Sequence, residues 1–135
     1  MILLDTDVLI DVALNRSPHA KAAGELLTLL ESRPRMAFVA WHTLSNFYYL
    51  VSPTRGKDDA RQFLSDLTRF VSVAPTDTDA FHFATTLPLS DFEDALQVAA
   101  AWACGATHIA TRNVKDFRLS PIPARRPADL ARELG

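Results

Sequence analysis

Short apolar runs of strand length alternate along the chain with longer segments whose apolar residues recur at helical spacing. The runs are Ile2–Leu4, Met36–Ala40, Val71–Pro75 and Thr107–Thr111. Alternating strands and helices predict an α/β domain, and continuous apolar runs predict parallel strands that are covered on both faces. With a further edge strand and a terminal helix from Pro127, we expect a mostly parallel central sheet of four to five strands. The length favours a single domain over residues 1–135.

The helical segments carry start and stop signals. Ser17, ahead of a proline, is a candidate N-cap for the first long helix. Ser90 and Glu93 have the spacing of a capping box at the start of a late helix, and Gly105 predicts its end. Residues 52–56 contain proline and glycine and predict a connection between two helices.

The composition limits the classes of function. Hydrophobic residues make up 48% of the chain and the formal net charge is −2, so the chain has no overall basic footprint for nucleic acid. Cys104 is the only cysteine, and the absence of an internal disulfide fits a reducing compartment. No apolar run reaches the roughly 18 residues of a membrane span, and the first residues lack the pattern of a secretory signal. We therefore expect a cytoplasmic protein that does not contact a membrane.

Oxygen-bearing side chains follow the predicted strands. Asp5 comes directly after the first strand, Asp116 lies in the loop after the fourth, Asp94 is at the start of the late helix, and Asn46 is on the helix after the second strand. Sites in open parallel sheets form outside the carboxyl ends of the strands. Carboxylates that are brought together cannot all stay ionised without a cation between them. Such ligands suit Mg²⁺, which lowers the pKa of a bound water for displacement at phosphorus.

Each acid also has a structural interpretation. Asp7 and Asp11 are placed to cap the short helix after the first strand, and Asp116 suits a turn. Asp91 favours the positive end of a helix dipole. Asp94 is harder to explain in this way because it directly precedes a buried helical stripe, so the set as a whole favours a site.

Four motifs in this order and spacing match a known family. They are ILLDTDVLID, TLSNFYYL, DFEDALQVAAAWA and ATRNVKDF. Over essentially its whole length the chain resembles the PIN-domain family, and more closely the VapC-type ribonuclease toxins of toxin–antitoxin pairs. The resemblance implies a PIN-like three-layer α/β/α sandwich and an acidic pocket that binds Mg²⁺ or Mn²⁺. It also implies that RNA phosphodiester bonds are hydrolysed through metal-activated water.

The resemblance assigns the catalytic and metal-binding roles to three acids. The family's first acid falls on Asp5 and its acid at the late helix falls on Asp94. For the last position we favour Asp116, because it carries a charge, with Asn113 in support. Thr6 is expected to orient a ligand or water through its hydroxyl.

The chain departs from the family pattern at Asn46. The family usually carries Glu at this position, whereas Asn46 offers a carbonyl oxygen without a charge, so we expect weaker metal binding. Asp91 and Glu93 are candidates to compensate. Asp91 is the better candidate as an additional metal ligand, because it is one turn from Asp94 on the same helix face.

Basic and aromatic residues near the motifs indicate contacts with RNA. Arg112, Lys115 and Arg118 flank the loop that carries Asp116, and Arg112 and Lys115 are predicted to meet RNA phosphates. Trp41 and Tyr49 are candidates to stack a base or to fill a dimer interface. The resemblance implies a tRNA or rRNA substrate, a cognate antitoxin that covers the pocket, and a homodimer.

Two other functions remain open from the sequence. With Asn46 in place of an acid, the domain could bind RNA or protein without cutting. The DTDVL motif also approaches the signature of haloacid dehalogenase-like phosphatases, in which a first Asp attacks phosphorus and a second acts as acid and base. In that case loss of Asp7 would be as damaging as loss of Asp5.

Overall fold

The computed structural model describes all 135 residues and contains five strands and seven α-helices. The strands are β1 Ile2–Leu4, β2 Ala37–Val39, β3 Val71–Val73, β4 His108–Ala110 and β5 Ala124–Arg125. The helices are α1 Thr6–Ala13, α2 Ala20–Glu31, α3 Trp41–Arg55, α4 Lys57–Leu67, α5 Thr78–Thr85, α6 Phe92–Ala103 and α7 Pro127–Leu134. A single 3₁₀ turn spans Val114–Phe117.

All strand pairs are parallel, and the strand order is β3-β2-β1-β4-β5. The predicted parallel α/β sheet is therefore confirmed. The chain builds outward from β1 on one side and then crosses to β4 on the other. The carboxyl ends of β1 and β4 consequently form a topological switch point, where ligands bind in open α/β sheets.

The core lies on both faces of the sheet. Leu4 belongs to one apolar cluster with Leu9 and Leu26, whereas the adjacent Leu3 packs in a second cluster with Val98. Successive side chains of a strand point to opposite faces. Helices therefore cover the sheet on both sides, as the apolar strands predict, and form the three layers that the resemblance implies. No helix combines the length and the apolar character needed to cross a membrane.

Three of the predicted helix boundaries are wrong. His19, rather than Ser17, precedes α2, because residues 17–19 form a turn. The predicted connection over residues 52–56 is mostly helical, because α3 continues through Pro53. Gly56, which has a φ of 92°, is the only residue between α3 and α4. Pro53 is tolerated in the last turn, where the exposed carbonyl groups near it can bind water.

The third wrong boundary is the capping box of α6. The N-cap is Asp91, not Ser90, and its carboxylate accepts a hydrogen bond of 3.1 Å from the backbone N–H of Asp94. The predicted end of α6 is confirmed at Gly105, which has a φ of 71°. The N–H groups of Gly105 and Ala106 bond back to the last turn, as in a Schellman motif.

Candidate active site at the carboxyl edge of β1 and β4

Asp5 lies at the switch point because β1 ends one residue before it. Its backbone N–H donates to the carbonyl of Ala110, the last residue of β4, at 2.9 Å. Leu4 pairs with Ala110, so the next residues of the two strands, Asp5 and Thr111, lie side by side. Asp5 is also the N-cap of α1, and its Oδ1 accepts from the N–H of Thr6 at 2.8 Å.

A single hydroxyl group joins Asp5 to a second carboxylate, Asp7. The Oγ1 of Thr111 lies 2.9 Å from Asp5 Oδ2 and 3.1 Å from Asp7 Oδ2. A threonine hydroxyl has one hydrogen to donate, so it cannot satisfy two ionised carboxylates at once. It can donate to only one of the two carboxylates at a time, and Asp7 Oδ2 also accepts a hydrogen bond of 2.9 Å from Asn113 Nδ2.

Burial and like charge raise the pKa values of this pair. Desolvation is the largest cause for Asp5, followed by the charge of Asp7, and together they raise its pKa from 3.8 to about 7. The pKa of Asp7 is also raised, mainly by burial. A strongly perturbed carboxyl at a sheet switch point is typical of a functional site.

Two further acids come from other elements: the charge of Asp94 acts on Asp5, and the charge of Asp116 acts on Asp94. Asp94 is in the first turn of α6, and Asp116 is an exposed residue of the 3₁₀ turn. Burial and then the charge of Asp91 raise the pKa of Asp94 to about 6, and Asp116, Glu93 and Asp7 add to the effect. The predicted acids Asp5, Asp94 and Asp116 therefore share one electrostatic neighbourhood.

These residues have the chemistry of a site for a hard divalent cation. Their donors are all oxygens, and Asp7 Oδ1 is buried without a hydrogen-bond partner. No group of three or more His, Cys, Asp or Glu side chains is spaced to hold a metal ion. Mg²⁺ usually takes only one or two carboxylates and keeps several waters, so the donor set fits it without such a group.

The side chains next to Asp94 are already engaged with one another. One carboxylate oxygen of Asp91 accepts the hydrogen bond that caps α6. The Nδ2 of Asn46 donates to Glu93 Oε1 at 3.0 Å, so this amide is bonded to a neighbouring acid of α6. Glu93 also influences His42, whose pKa is lowered by burial although the charge of Glu93 opposes the shift.

Thr6 does not face a ligand as its predicted role requires. Its hydroxyl is buried and lies 2.9 Å from the hydroxyl of Thr43 on α3 and 3.1 Å from the amide nitrogen of Gln97 on α6. Asn113 lies closer to the acids, because its Nδ2 donates to Asp7 Oδ2 at 2.9 Å. Asn113 therefore supports Asp7, whereas Thr6 joins α1 to α3 and α6.

The two predicted RNA-binding cations have different environments. Arg112 Nε donates to the buried carboxylate of Asp11 at 2.8 Å, which ties α1 to the loop after β4. Lys115 is exposed and lines a groove of about 390 Å³ together with Asp116 and Arg118. Lys115 is therefore free to meet a phosphate, whereas Arg112 is held by Asp11.

A family model described as the PIN domain matches residues 1–115. The chain belongs to the PIN domain family. No curated protein matches its sequence.

The fold of this PIN domain is similar to those of several solved structures. One is VapBC2 from Rickettsia felis bound to a DNA fragment from its promoter (TM-score 0.72, 18% identity, covering 93% of this chain and 98% of that one). Another is a toxin–antitoxin complex from Klebsiella pneumoniae (TM-score 0.70, 23% identity, 94% and 98%). A third is the sarcin–ricin-loop-cleaving toxin VapC20 of Mycobacterium tuberculosis (TM-score 0.63, 18% identity, 81% and 87%).

For a PIN domain, the sequence predicted only a capping role for Asp7, which had a catalytic role solely in the phosphatase alternative, and it predicted no role for Thr111. The signal for Asp7 was its position two residues after Asp5, at the strand–helix junction. The signal for Thr111 was a polar residue directly after a buried strand. Both lie at the sheet edge where the other acids were expected.

Proposed function

We propose that this PIN domain is a VapC-like, metal-dependent ribonuclease that is inhibited by a cognate antitoxin. The observation that carries the proposal is the meeting of Asp5 and Asp7 at the hydroxyl of Thr111 at the switch point, with Asp94 close enough for its charge to act on Asp5. Carboxylates that repel one another in this way are stabilised by a cation. Membership of the family and the similar fold of VapC20 support the same activity.

Asp5, Asp94 and Asp116 are the proposed ligands of Mg²⁺ or Mn²⁺, one or two of them directly and the others through bound water, and Asp7 is a further candidate. When bound, a divalent cation lowers the pKa of a coordinated water and stabilises charge on a phosphate. Thr111 and the N–H of Thr6 fix the two oxygens of Asp5. Asp91 holds the first turn of α6 and thereby the position of Asp94.

Lys115 and Arg118 would bind RNA phosphates in the groove beside Asp116. Trp41 and Tyr49, which are 70% and 71% exposed, are free to stack a base or to lie in a homodimer interface. We infer that the substrate is tRNA or rRNA and that the domain spans residues 1–135. We further infer that the protein works in the cytoplasm with an antitoxin as partner.

A non-catalytic RNA- or protein-binding module is the competing candidate. Asn46 favours it, because an amide occupies the family's usual Glu position and is already bonded to Glu93. Membership of the PIN family leaves the phosphatase interpretation without support. The ribonuclease cuts RNA only with a divalent metal and with Asp94 intact, whereas the binding module does not cut RNA under any condition.

The test is to incubate the purified, antitoxin-free protein with total tRNA and with rRNA in Mg²⁺, in Mn²⁺ and in EDTA. Asp94→Asn is compared with Asp58→Asn, which removes an exposed acid from the first turn of α4. We expect metal-dependent fragments from the wild type and from Asp58→Asn but none from Asp94→Asn. RNA that is bound equally with and without metal and is never cut would favour the binding module.

A further inference from the structure

A closed polar network lies in the core directly behind the acids. Gln97 on α6 and Thr43 on α3 are fully buried, and Thr6 on α1 is 5% exposed. The amide nitrogen of Gln97 lies 3.1 Å from Thr6 Oγ1 and 3.0 Å from Thr43 Oγ1, and the two hydroxyls are 2.9 Å apart. Three helices therefore meet in one triangle of hydrogen bonds.

A count of hydrogens fixes the orientation of the Gln97 amide. The three contacts need three hydrogens, and the two threonine hydroxyls supply only two. The amide NH₂ must therefore face the hydroxyls and donate to both. This orientation leaves Gln97 Oε1 buried without a partner.

The unpartnered oxygen means that stability alone does not explain a glutamine at this position. A buried acceptor without a hydrogen bond costs roughly 1–3 kcal/mol, whereas an apolar group of the same shape costs nothing of this kind. Methionine would fill the space, and the two hydroxyls would still bond to each other. Gln97 gains two hydrogen bonds but leaves one buried acceptor unpaired, so its net effect on stability is small, and such a polar core residue is a candidate for a functional role.

Each corner of the network is close in sequence to a residue of the candidate active site. Thr6 is adjacent to Asp5, Thr43 is three residues before Asn46, and Gln97 is three residues after Asp94. Three and four residues make one helical turn. The triangle thus fixes the relative placement of the α1, α3 and α6 turns that carry the site.

We propose that Gln97 is a positioning residue that sets the placement of Asp5 and Asp94 for a divalent cation by holding α6 to Thr6 and Thr43. The inference rests on the proposed function, because it assumes that these acids bind the cation. Gln97 itself touches neither the cation nor RNA. Its effect is on the placement of the ligands before the cation arrives.

The test variant is Gln97→Met, measured in three ways. Unfolding by urea in EDTA gives the stability, electron paramagnetic resonance of free Mn²⁺ gives the affinity for the metal alone, and cleavage of RNA gives the activity. We expect the urea midpoint to be unchanged or higher. The dissociation constant for Mn²⁺ should rise about 10-fold or more and cleavage should slow, as for other residues that orient metal ligands. Gln62→Met, at an exposed position of α4, is the matched control and should match the wild type in Mn²⁺ affinity.

Thr43→Val removes another corner with nearly the same shape and serves if Gln97→Met fails to fold. It should also weaken Mn²⁺ binding, and the double variant should be little weaker than either single variant, because one network is broken in each. Wild-type Mn²⁺ affinity in both folded single variants would overturn the proposal. A wild-type protein that binds Mn²⁺ but cuts no RNA would overturn the proposed function alone, whereas one that binds no Mn²⁺ would overturn both.

Discussion

The buried carboxyl of Asp5 makes the metal-free protein less stable as the pH rises. Its pKa is raised from 3.8 to about 7, first by burial and then by the charge of Asp7. Between these two values the folded state holds a proton that the unfolded state has lost, so the free energy of unfolding falls with increasing pH. The full shift corresponds to roughly 4 kcal/mol, of which roughly 3 kcal/mol is lost between about pH 5 and about pH 8.

Replacing Asp5 with Asn removes the titrating group and keeps its hydrogen bonds. Asn Oδ1 can still accept from the N–H of Thr6, and Asn Nδ2 can donate to Thr111, which then gives its one hydrogen to Asp7. We therefore expect Asp5→Asn in EDTA to be nearly equal in stability to the wild type at about pH 3, below the unfolded pKa, and more stable by roughly 2 kcal/mol at about pH 5 and by roughly 4 kcal/mol at about pH 8. The same variant should not cleave RNA.

Urea denaturation in EDTA at several pH values, with the midpoint and slope fitted at each, measures this difference. Asp58→Asn controls for the removal of an acid in general, because Asp58 is exposed in α4. Mg²⁺ at about 100 times its dissociation constant should raise the free energy of unfolding of the wild type by roughly 2.7 kcal/mol and leave that of Asp5→Asn unchanged. A wild-type stability that stays flat or rises between about pH 5 and about pH 8, or an Asp5→Asn protein that is less stable at the higher pH, would refute the reasoning.

Three further changes test the surroundings of the site. Arg112→Met leaves the carboxylate of Asp11 buried, with Arg16 at 3.9 Å as its nearest cation. Urea denaturation should therefore show a free energy of unfolding lower by about 2–4 kcal/mol, and an unchanged midpoint would refute this. Asn46→Glu places a carboxylate beside Glu93; it should lower metal-free stability and tighten Mn²⁺ binding, measured by titration, and weaker binding would contradict this. Gly105→Ala forces a side chain into a φ of 71° and should cost about 1 kcal/mol in thermal unfolding without changing cleavage rates.

The sheet edge that carries the site was predictable because it depends on chain direction alone. Strands that alternate with helices run parallel, so Asp5 after β1 and the loop after β4 had to emerge at the same edge. Helix caps were less predictable, because Ser90 and Asp91 are both good N-cap residues and differ by one position. Only the backbone conformation of Asp91, which is extended, decides between them.

The partners of individual side chains were not predictable, because they depend on packing between elements that are distant in sequence. Arg112 has the same charge whether it meets RNA or Asp11, and only the packing of α1 against the loop after β4 makes it a partner of Asp11. Gln97 did carry a signal, since it is a polar residue inside the apolar stretch ALQVAAA. That signal shows that a buried amide needs partners, but the hydroxyls of Thr6 and Thr43 are 91 and 54 residues away.

The distribution of buried polar residues separates the part of the fold that serves stability from the part that serves the site. The six buried polar or charged residues are Asp5, Thr6, Asp11, Thr43, Gln97 and Thr111. Each belongs to the acid pair, to the triangle behind it or to the ion pair that holds the loop after β4. Elsewhere the core is apolar, as burial requires. These six polar side chains bond to one another or to groups at the carboxyl edge of β1 and β4, so the polar part of the core coincides with the candidate active site.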